Sequence, residues 1–198
     1  MSVKTILIEP DTILRQKSQP VNTVGQDEQK LMNDMLDTLY AANGIGLAAI
    51  QIGVPQRIIV MDINRDKENK NPMYFVNPVI KNRDLEKSIY EEGCLSVPNQ
   101  FAEIQRSSKC EVEYLDYNGN KQNLQAEGLL ATCIQHEIDH LDGITMFERS
   151  VTPQPVRVPE KIGRNERVTI TDGKETKELK WKKAQPLVES GDWEMAPA

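Results

Sequence analysis

The chain contains only two histidines, His136 and His140, which lie four positions apart, and Glu137 directly follows the first. Residues four apart on a helix stand one turn above each other, with about 6 Å between their Cβ atoms. Two imidazoles in this arrangement can bind one metal ion, and the glutamate beside them can reach a water on that ion without being a ligand. The pattern predicts a metal-dependent hydrolytic site. The alternative is a buried helix with two structural histidines.

A catalytic metal site of this kind needs a third protein ligand, and the three cysteines are the candidates. Cys133 lies seven residues before His140, about 10 Å along a helix axis, so we expect it in the core or in a pocket wall. Cys110 alternates with charged residues on a strand and is also expected in the core. Cys94 lies in EEGCLSVP at residues 91–98, where a glycine lets the backbone approach closely. We therefore expect Cys94 to be the third ligand.

A glycine-broken apolar stretch, GIGLAAIQIG, occupies residues 44–53. It follows a predicted helix rather than a strand, so it does not match a nucleotide-binding fingerprint. We expect a tight loop packed on the core. Its one amide, Gln51, has no role that the residues alone indicate.

The apolar periodicity predicts the elements that must position these residues. The second predicted helix is apolar over a wide arc, which is typical of a buried helix, and residues 142–143 (DG) end it. We expect the α+β class, with mostly antiparallel β-sheets packed around a central buried helix that carries the HExxH motif. The predicted elements are helices at residues 27–43 and 127–141, strands at residues 57–61 and 74–76, and a hairpin formed by a strand at residues 110–114 with a turn at residues 118–119.

Composition excludes several classes of protein. The 198 residues include 24 basic and 30 acidic side chains, a net charge of -6, which disfavours broad DNA binding. No apolar run approaches the roughly 20 residues that span a bilayer, and the first twenty residues lack the features of a signal peptide. Three widely spaced cysteines form no disulfide framework, so we expect a cytoplasmic protein.

The charge balance changes near residue 150, where three prolines cluster at positions 153, 155 and 159. Residues 1–149 carry 15 basic and 22 acidic side chains, a net of -7, and residues 150–198 carry 9 and 8, a net of +1. We expect a catalytic domain at residues 1–149 and a proline-interrupted extension at residues 150–198. For the extension we expect a hairpin at residues 168–181 and a single helical turn at residues 186–190.

Three stretches together resemble the signature motifs of the peptide deformylase family: GIGLAAIQ at residues 44–51, EGCLS at residues 92–96 and QHEIDH at residues 135–140. They occur in that family's order and approximate spacing, and IEPDTILR at residues 8–15 resembles the family's start. The likeness covers about residues 1–149. It implies a metal-dependent hydrolase that removes the N-formyl group from formylmethionine at the start of nascent polypeptides and releases formate.

The resemblance also implies a role for each motif residue. Cys94, His136 and His140 would hold one divalent ion, Fe(II) as is usual in the family, with Zn(II), Ni(II) or Co(II) tolerated. Glu137 would move the proton, and the Gln51 amide and the Leu95 backbone N–H would stabilise the charge that develops on the formyl oxygen. The residues that the resemblance places around the substrate are Ile45, Gly46, Gly93, Leu129 and Cys133.

The chain departs from familiar members of that family at several positions. Tyr90 and Thr132 stand where many members have aliphatic residues, and Phe101 stands where many bacterial members have arginine. We expect these to change side-chain preference and peptide affinity rather than the chemistry. Bacterial members commonly end in a helix, which in some docks on the ribosome. Here seven basic and four acidic side chains occupy residues 164–183, and they indicate either a ribosome contact or a solvated face.

Two other functions fit parts of the sequence. A thermolysin-like zinc peptidase shares the HExxH motif and takes a downstream glutamate as its third ligand; Glu166 lies 26 residues after His140. That interpretation leaves Cys94 and Gln51 without a role. A non-catalytic binding module would need neither Glu137 nor Gln51. The sequence does not decide the oligomeric state.

Overall fold

The computed structural model describes residues 2–64, 69–150, 167–172, 175–189 and 193–195. Contacts divide the chain into two compact units, residues 1–152 and residues 153–198. Each unit contains its own cluster of buried apolar residues. The residues predicted to do chemistry all belong to the first unit.

The first unit is built on antiparallel sheets and two helices. Strands β1, β2, β3, β6 and β7 form one sheet in that order, and β4 and β5 form a separate two-stranded sheet. Three short 3-10 helices cover Thr12–Arg15, Ala49–Ile52 and Met146–Glu148. The elements are α1 (Gln26–Ala41), β1 (Gly46–Ala48), β2 (Ile58–Met61), β3 (Met73–Arg83), β4 (Lys87–Cys94), β5 (Val97–Ser107), β6 (Lys109–Leu115), β7 (Lys121–Glu127) and α2 (Gly128–Leu141).

Strand β2 shows how the five-stranded sheet is covered on both faces. Ile59 and Met61 belong to the apolar cluster that includes α2, whereas Ile58 and Val60 belong to the cluster that includes α1. Successive side chains of a strand point to opposite faces, so each face packs against one helix. A strand buried on both faces is apolar throughout, which explains the unbroken run in β2.

Helix α2 is buried along most of its length, since every residue from 131 to 141 is buried. Gly143 follows the helix with a φ of 75°, and a Cβ there would lie 2.5 Å from the Arg15 carbonyl oxygen. Glycine is therefore required where the chain leaves the helix. The predicted α+β class with a central buried helix is confirmed.

The structure corrects several predicted elements of this unit. Residues 44–53 are not simply a loop, because β1 pairs with β2 as a strand of the main sheet. Strand β3 runs well beyond the predicted residues 74–76. Its second half was not predicted, because it is mostly exposed and carries no apolar run. The hairpin of β4 and β5 was not predicted, because the charged residues Glu92 and Arg106 occupy inward positions. Ile89 and Phe101 lie on the exposed face, so the usual apolar alternation is obscured.

The second unit consists of β8 (Arg167–Thr171), β9 (Thr176–Lys180), α3 (Trp181–Glu189) and β10 (Glu194–Met195), with the sheet order β10-β8-β9. The predicted hairpin is present, although part of its turn lies outside the described residues. The single turn predicted at residues 186–190 is wrong, because the helix already begins at Trp181. Trp181 and Ala184 are three apart on one helix face and pack with Val168 and Ile170.

In the described part of the chain, no helix has the length and apolar character needed to cross a membrane.

Candidate metal centre

Three side chains from two elements converge at the centre of the first unit. The ligand atoms of Cys94, His136 and His140 all lie within 4.8 Å of one another, and Cys94 Sγ is 3.1 Å from His140 Nε2. Helix α2 supplies both imidazoles, and the end of β4 supplies the thiol. The pairing of β4 with β5 shifts register between Gly93 and Cys94, an irregularity of the kind that re-aims a side chain.

The hydrogen bonds around the imidazoles fit a metal ion. His136 Nδ1 lies 2.8 Å from Glu92 Oε2, and because a carboxylate accepts, Nδ1 donates, so that a neutral ring would present its Nε2 lone pair to a metal ion. His140 Nδ1 is buried and has no hydrogen-bond partner among the described residues. Burial lowers the pKa of His140 well below its usual value, which favours the neutral form that binds metals. One thiol and two imidazoles suit a first-row divalent ion.

Glu92 is held in place by a buried ion-pair network. Arg106 donates two hydrogen bonds to it, of 2.6 and 3.0 Å, and a third of 2.8 Å to Asp139. Burial alone would raise the pKa of Glu92, but the hydrogen bonds from His136 and Arg106 lower it below its ordinary value. The sequence alone indicates no role for Glu92, Arg106 or Asp139. Arg106 could have been noticed, since it interrupts the apolar inner face of β5 formed by Ala102 and Ile104.

Glu137 lies beside the three converging ligand atoms and against the backbone of β1. A Cβ on Gly46 would collide with the Glu137 carboxylate and would lie 2.8 Å from Cys133 Sγ. Glycine is therefore needed where β1 crosses α2. Glu137 Oε2 has no hydrogen-bond partner in the described ranges, and burial raises the pKa of this carboxyl to about 7. The geometry leaves one carboxylate oxygen available for a proton.

The Gln51 side chain is oriented by its own backbone neighbourhood. Its Oε1 accepts the Ala48 N–H at 2.8 Å, so its Nε2 points the other way, 3.1 Å from Ser96 Oγ and 3.7 Å from Cys94 Sγ. The amide N–H groups thus face the thiol. This orientation depends on the 3-10 helix at Ala49–Ile52, which the residues alone did not predict.

A cavity of about 530 Å³ opens beside these groups. Its wall includes the aromatic rings of Tyr90 and Phe101 together with Thr132. Burial raises the pKa of the Cys133 thiol well above its usual value, which agrees with a neutral thiol in an apolar wall. The predicted residues that line the cavity are Ile45, Gly46, Gln51, Gly93, Cys94, Leu95, Leu129, Cys133, His136 and Glu137.

An α+β fold that gathers one thiol, two imidazoles and a carboxylate beside a cavity defines a class, the metal-dependent hydrolases. The comparisons with known proteins narrow that class. The sequence profile of the polypeptide deformylase family matches residues 3–156. Peptide deformylase of Pelagibacter ubique strain HTCC1062 is 70% identical over 148 residues, which are 75% of this chain and 86% of that protein.

Solved structures give the same result. Peptide deformylase from Ehrlichia chaffeensis in complex with actinonin superposes with a TM-score of 0.72 at 44% identity, over 75% of this chain and 89% of that one. The enzyme from Thermotoga maritima superposes with a TM-score of 0.73 at 36% identity, over 77% of this chain and all of that one, 100%.

The chain belongs to the peptide deformylase family. It is a hydrolase that removes the N-formyl group from N-formylmethionine at the start of nascent polypeptides, and the family is one of metalloenzymes. Residues 157–198 lie beyond the part that the family profile matches.

Proposed function

We propose that Cys94, His136 and His140 bind one divalent ion and that Glu137 moves the proton during removal of the formyl group. The observation that carries this proposal is the convergence of the three ligand atoms within 4.8 Å, with a buried carboxylate on the next residue of the same helix. When bound, the ion would supply a water of lowered pKa and would polarise the formyl oxygen.

Glu137 performs the proton transfers. Its carboxylate accepts a proton from the attacking water and delivers it to the amine nitrogen as the bond between that nitrogen and the formyl carbon breaks. The formyl carbon leaves as formate with the oxygen of the water, and the methionine keeps a free amino group. The open Oε2 of Glu137 supports this role, because no other described group competes for it.

Two donors stabilise the negative charge that develops on the formyl oxygen. The Gln51 amide already faces Cys94, since Ala48 holds its oxygen. The Leu95 backbone N–H follows Cys94 directly in the chain, and Leu95 lines the same cavity. Removal of one such donor lowers the rate by about 10²–10³-fold in other enzymes.

The peptide lies along the cavity as an added strand. Backbone groups of Ile45, Gly46 and Gly93 bind its main chain, and Leu129 and Cys133 contact the methionine side chain. The position of all five in one cavity wall supports this assignment. An apolar wall with a neutral Cys133 thiol suits the uncharged thioether of methionine.

Three finer assignments complete the proposal. The ion is Fe(II), and Zn(II), Ni(II) or Co(II) can replace it, because thiolate and imidazole bind several first-row ions. The protein works in the cytoplasm, where formylated nascent chains are made. The second unit contacts the ribosome, since Lys180, Lys182 and Lys183 are exposed where β9 meets α3 and basic side chains attract ribosomal RNA.

The experiment that tests the function is formate release from a formyl-methionyl peptide. The Fe(II)-loaded protein should release formate, and Glu137→Ala should lower kcat by at least about 10²-fold, as expected for loss of a general base. The matched control is Glu127→Ala, which removes an exposed carboxylate next to the first residue of α2. Wild-type formate release no greater than that of Glu137→Ala would contradict the proposal.

A further inference from the structure

The two edges of the five-stranded sheet differ in length and exposure. Strand β1, at one edge, has only 3 residues and all of them are buried. Strand β7, at the other edge, has 7 residues, and in the part of the chain that the structure describes it pairs with β6 alone. Its residues 121–123, 125 and 127 are exposed. Such an edge leaves the backbone N–H and C=O groups of alternate residues without a strand partner.

Strand β7 also lacks the irregularities that usually protect a sheet edge from pairing. Natural edge strands are commonly very short, bulged or interrupted by proline. Strand β7 contains no proline, and it pairs with β6 from Lys121 to Glu127 without a register shift. The β3–β6 and β4–β5 pairings, in contrast, both shift register. Strand β7 is therefore regular enough to accept another strand along its whole length.

The charged residues of β7 indicate which strand it accepts. Lys121 begins the strand, Glu127 ends it, and Leu124 is its central residue. When two copies of β7 pair antiparallel about Leu124, Lys121 of each copy lies opposite Glu127 of the other, and Asn123 lies opposite Gln125. Opposite charges directly across an antiparallel pair stabilise it, whereas like charges destabilise it. A parallel pairing in register would instead place lysine against lysine, so the charges favour the antiparallel arrangement.

The alternation of side chains along β7 suits the same pairing. Ala126 is buried in the apolar cluster that includes α2, and Leu124 packs against that cluster, so both side chains point to the inner face. Lys121 and Glu127 point to the outer face. Glu127 Oε2 lies 3.6 Å from Lys109 Nζ, and its other carboxylate oxygen can accept from a second copy. Directly paired residues share a face, so the two Leu124 side chains contact each other and the two ion pairs lie outside them.

We propose that β7 is a dimer interface, where two copies of this chain pair antiparallel about Leu124 and join their five-stranded sheets into one continuous sheet. A two-fold axis gives both copies the same contacts, so the assembly closes at two chains. An interface built mainly on one strand from each copy belongs below roughly 1,200 Å² of buried surface, and we expect a weak, concentration-dependent dimer. The interface does not involve the proposed metal ligands and does not depend on the proposed function.

Sedimentation velocity of the full-length protein, from micromolar to submillimolar concentration, tests this interface. Wild type should shift from monomer to dimer as the concentration rises. Lys121→Glu turns both attractive pairs into repulsive ones and should raise the dimer Kd by at least about tenfold. The double variant Lys121→Glu/Glu127→Lys exchanges the charges and should return Kd to within about threefold of wild type. Lys17→Glu, which makes the same charge change at an exposed lysine outside β7, should leave Kd within about twofold.

Disulfide cross-linking tests the register of the pairing. Residues directly opposite each other in antiparallel strands have Cα atoms about 4.5–5.5 Å apart, which a disulfide can span. In the proposed register Leu124 lies opposite its own copy, so Leu124→Cys should give a disulfide-linked dimer when treated with oxidised glutathione, as seen on a non-reducing gel. Gln122→Cys is the matched control on the same strand face, because residue 122 lies opposite residue 126 of the other copy and should cross-link little.

Three results would overturn the proposed dimer. A wild type that stays monomeric at submillimolar concentration would mean that β7 does not pair with a second copy. A dimer whose Kd is the same in Lys121→Glu would place the contact on another surface. Equal cross-linking of Leu124→Cys and Gln122→Cys would exclude the register centred on Leu124. Formate release enters none of these measurements, so a failure here is distinct from a failure of the proposed function.

Discussion

Glu92 controls which nitrogen of His136 faces Cys94 and His140, the other two proposed metal ligands. Its Oε2 accepts the Nδ1 hydrogen at 2.8 Å, and Arg106 fixes both of its carboxylate oxygens. A carboxylate behind an imidazole ligand orients the ring and raises its basicity. The proposed ion thus depends on residues that do not touch it.

Replacing this carboxylate should weaken metal binding. Glu92→Gln keeps the size of the side chain but loses the charge, and we expect metal affinity to fall about 10–100-fold, the usual effect of losing such a partner. Glu91→Gln is the matched control, because Glu91 is the adjacent exposed carboxylate on β4. Competition with a chelator measures both affinities, and equal affinities in the two variants would contradict the role of Glu92.

The candidate metal ligands could be predicted from the sequence, whereas the residues that orient them could not. The spacing of His136 and His140 indicates a shared face because helical geometry is local. The roles of Glu92 and Gln51 depend on contacts across 44 and 43 positions of sequence, respectively. No periodicity encodes such contacts, and the role of Gln51 came only from the family resemblance.

At the scale of elements, α1 anchors the N-terminal segment of the chain. Asp34 lies on this helix, is only 2% exposed, and accepts the backbone N–H of Ser2 at 2.9 Å. Lys30, one turn away, pairs with the same carboxylate at 3.0 Å. The hydrogen bond from Lys30 holds the pKa of Asp34 well below its usual range, and contacts from Ser2 and Lys4 lower it further against the opposing effect of burial.

This depressed pKa predicts a pH-dependent contribution to stability. The unfolded chain binds the Asp34 proton near pH 3.9, whereas the folded chain does so only at lower pH. The stabilisation is therefore complete above about pH 5 and is lost as the pH falls through the folded pKa. Asp34→Asn should lower the free energy of unfolding most at pH 7 and progressively less towards pH 2. Urea unfolding across that range measures the difference, and a gap that is independent of pH would contradict the prediction.

The two helices and most of the main sheet could be predicted because their burial leaves a regular apolar pattern. Strand β1 could not, since Gly46 stands where the backbone must pass Glu137 and Cys133, and a glycine there breaks the β pattern. The β4–β5 hairpin escaped prediction for a different reason. Arg106 and Glu92 form an ion pair inside the protein. Charged residues therefore occupy inward positions of the hairpin where apolar residues are normally expected.

At the scale of the whole molecule, every residue proposed for the site lies between positions 45 and 140, within the first compact unit. The second unit contains its own apolar cluster around Trp181 and Ile170. The family profile ends at residue 156. We therefore predict that the chemistry requires only the first unit.

Ending the chain after residue 156 should leave formate release nearly unchanged. We expect kcat/KM for formyl-Met-Ala-Ala within about threefold of wild type, because no proposed ligand or substrate contact is removed. The same truncation should reduce salt-sensitive co-sedimentation with ribosomes. A truncated protein that folds but releases formate more than about tenfold more slowly would show that the extension takes part in catalysis.

The metal content of purified variants tests the metal centre most directly. Cys94→Ser should lose the ion, whereas Cys133→Ser and Glu166→Gln should each keep about one ion per chain, as in a site with three protein ligands. Glu166 lies outside the described residues and is the ligand that a thermolysin-like peptidase would need. Loss of the ion in Glu166→Gln with full occupancy in Cys94→Ser would contradict the proposed ligand set.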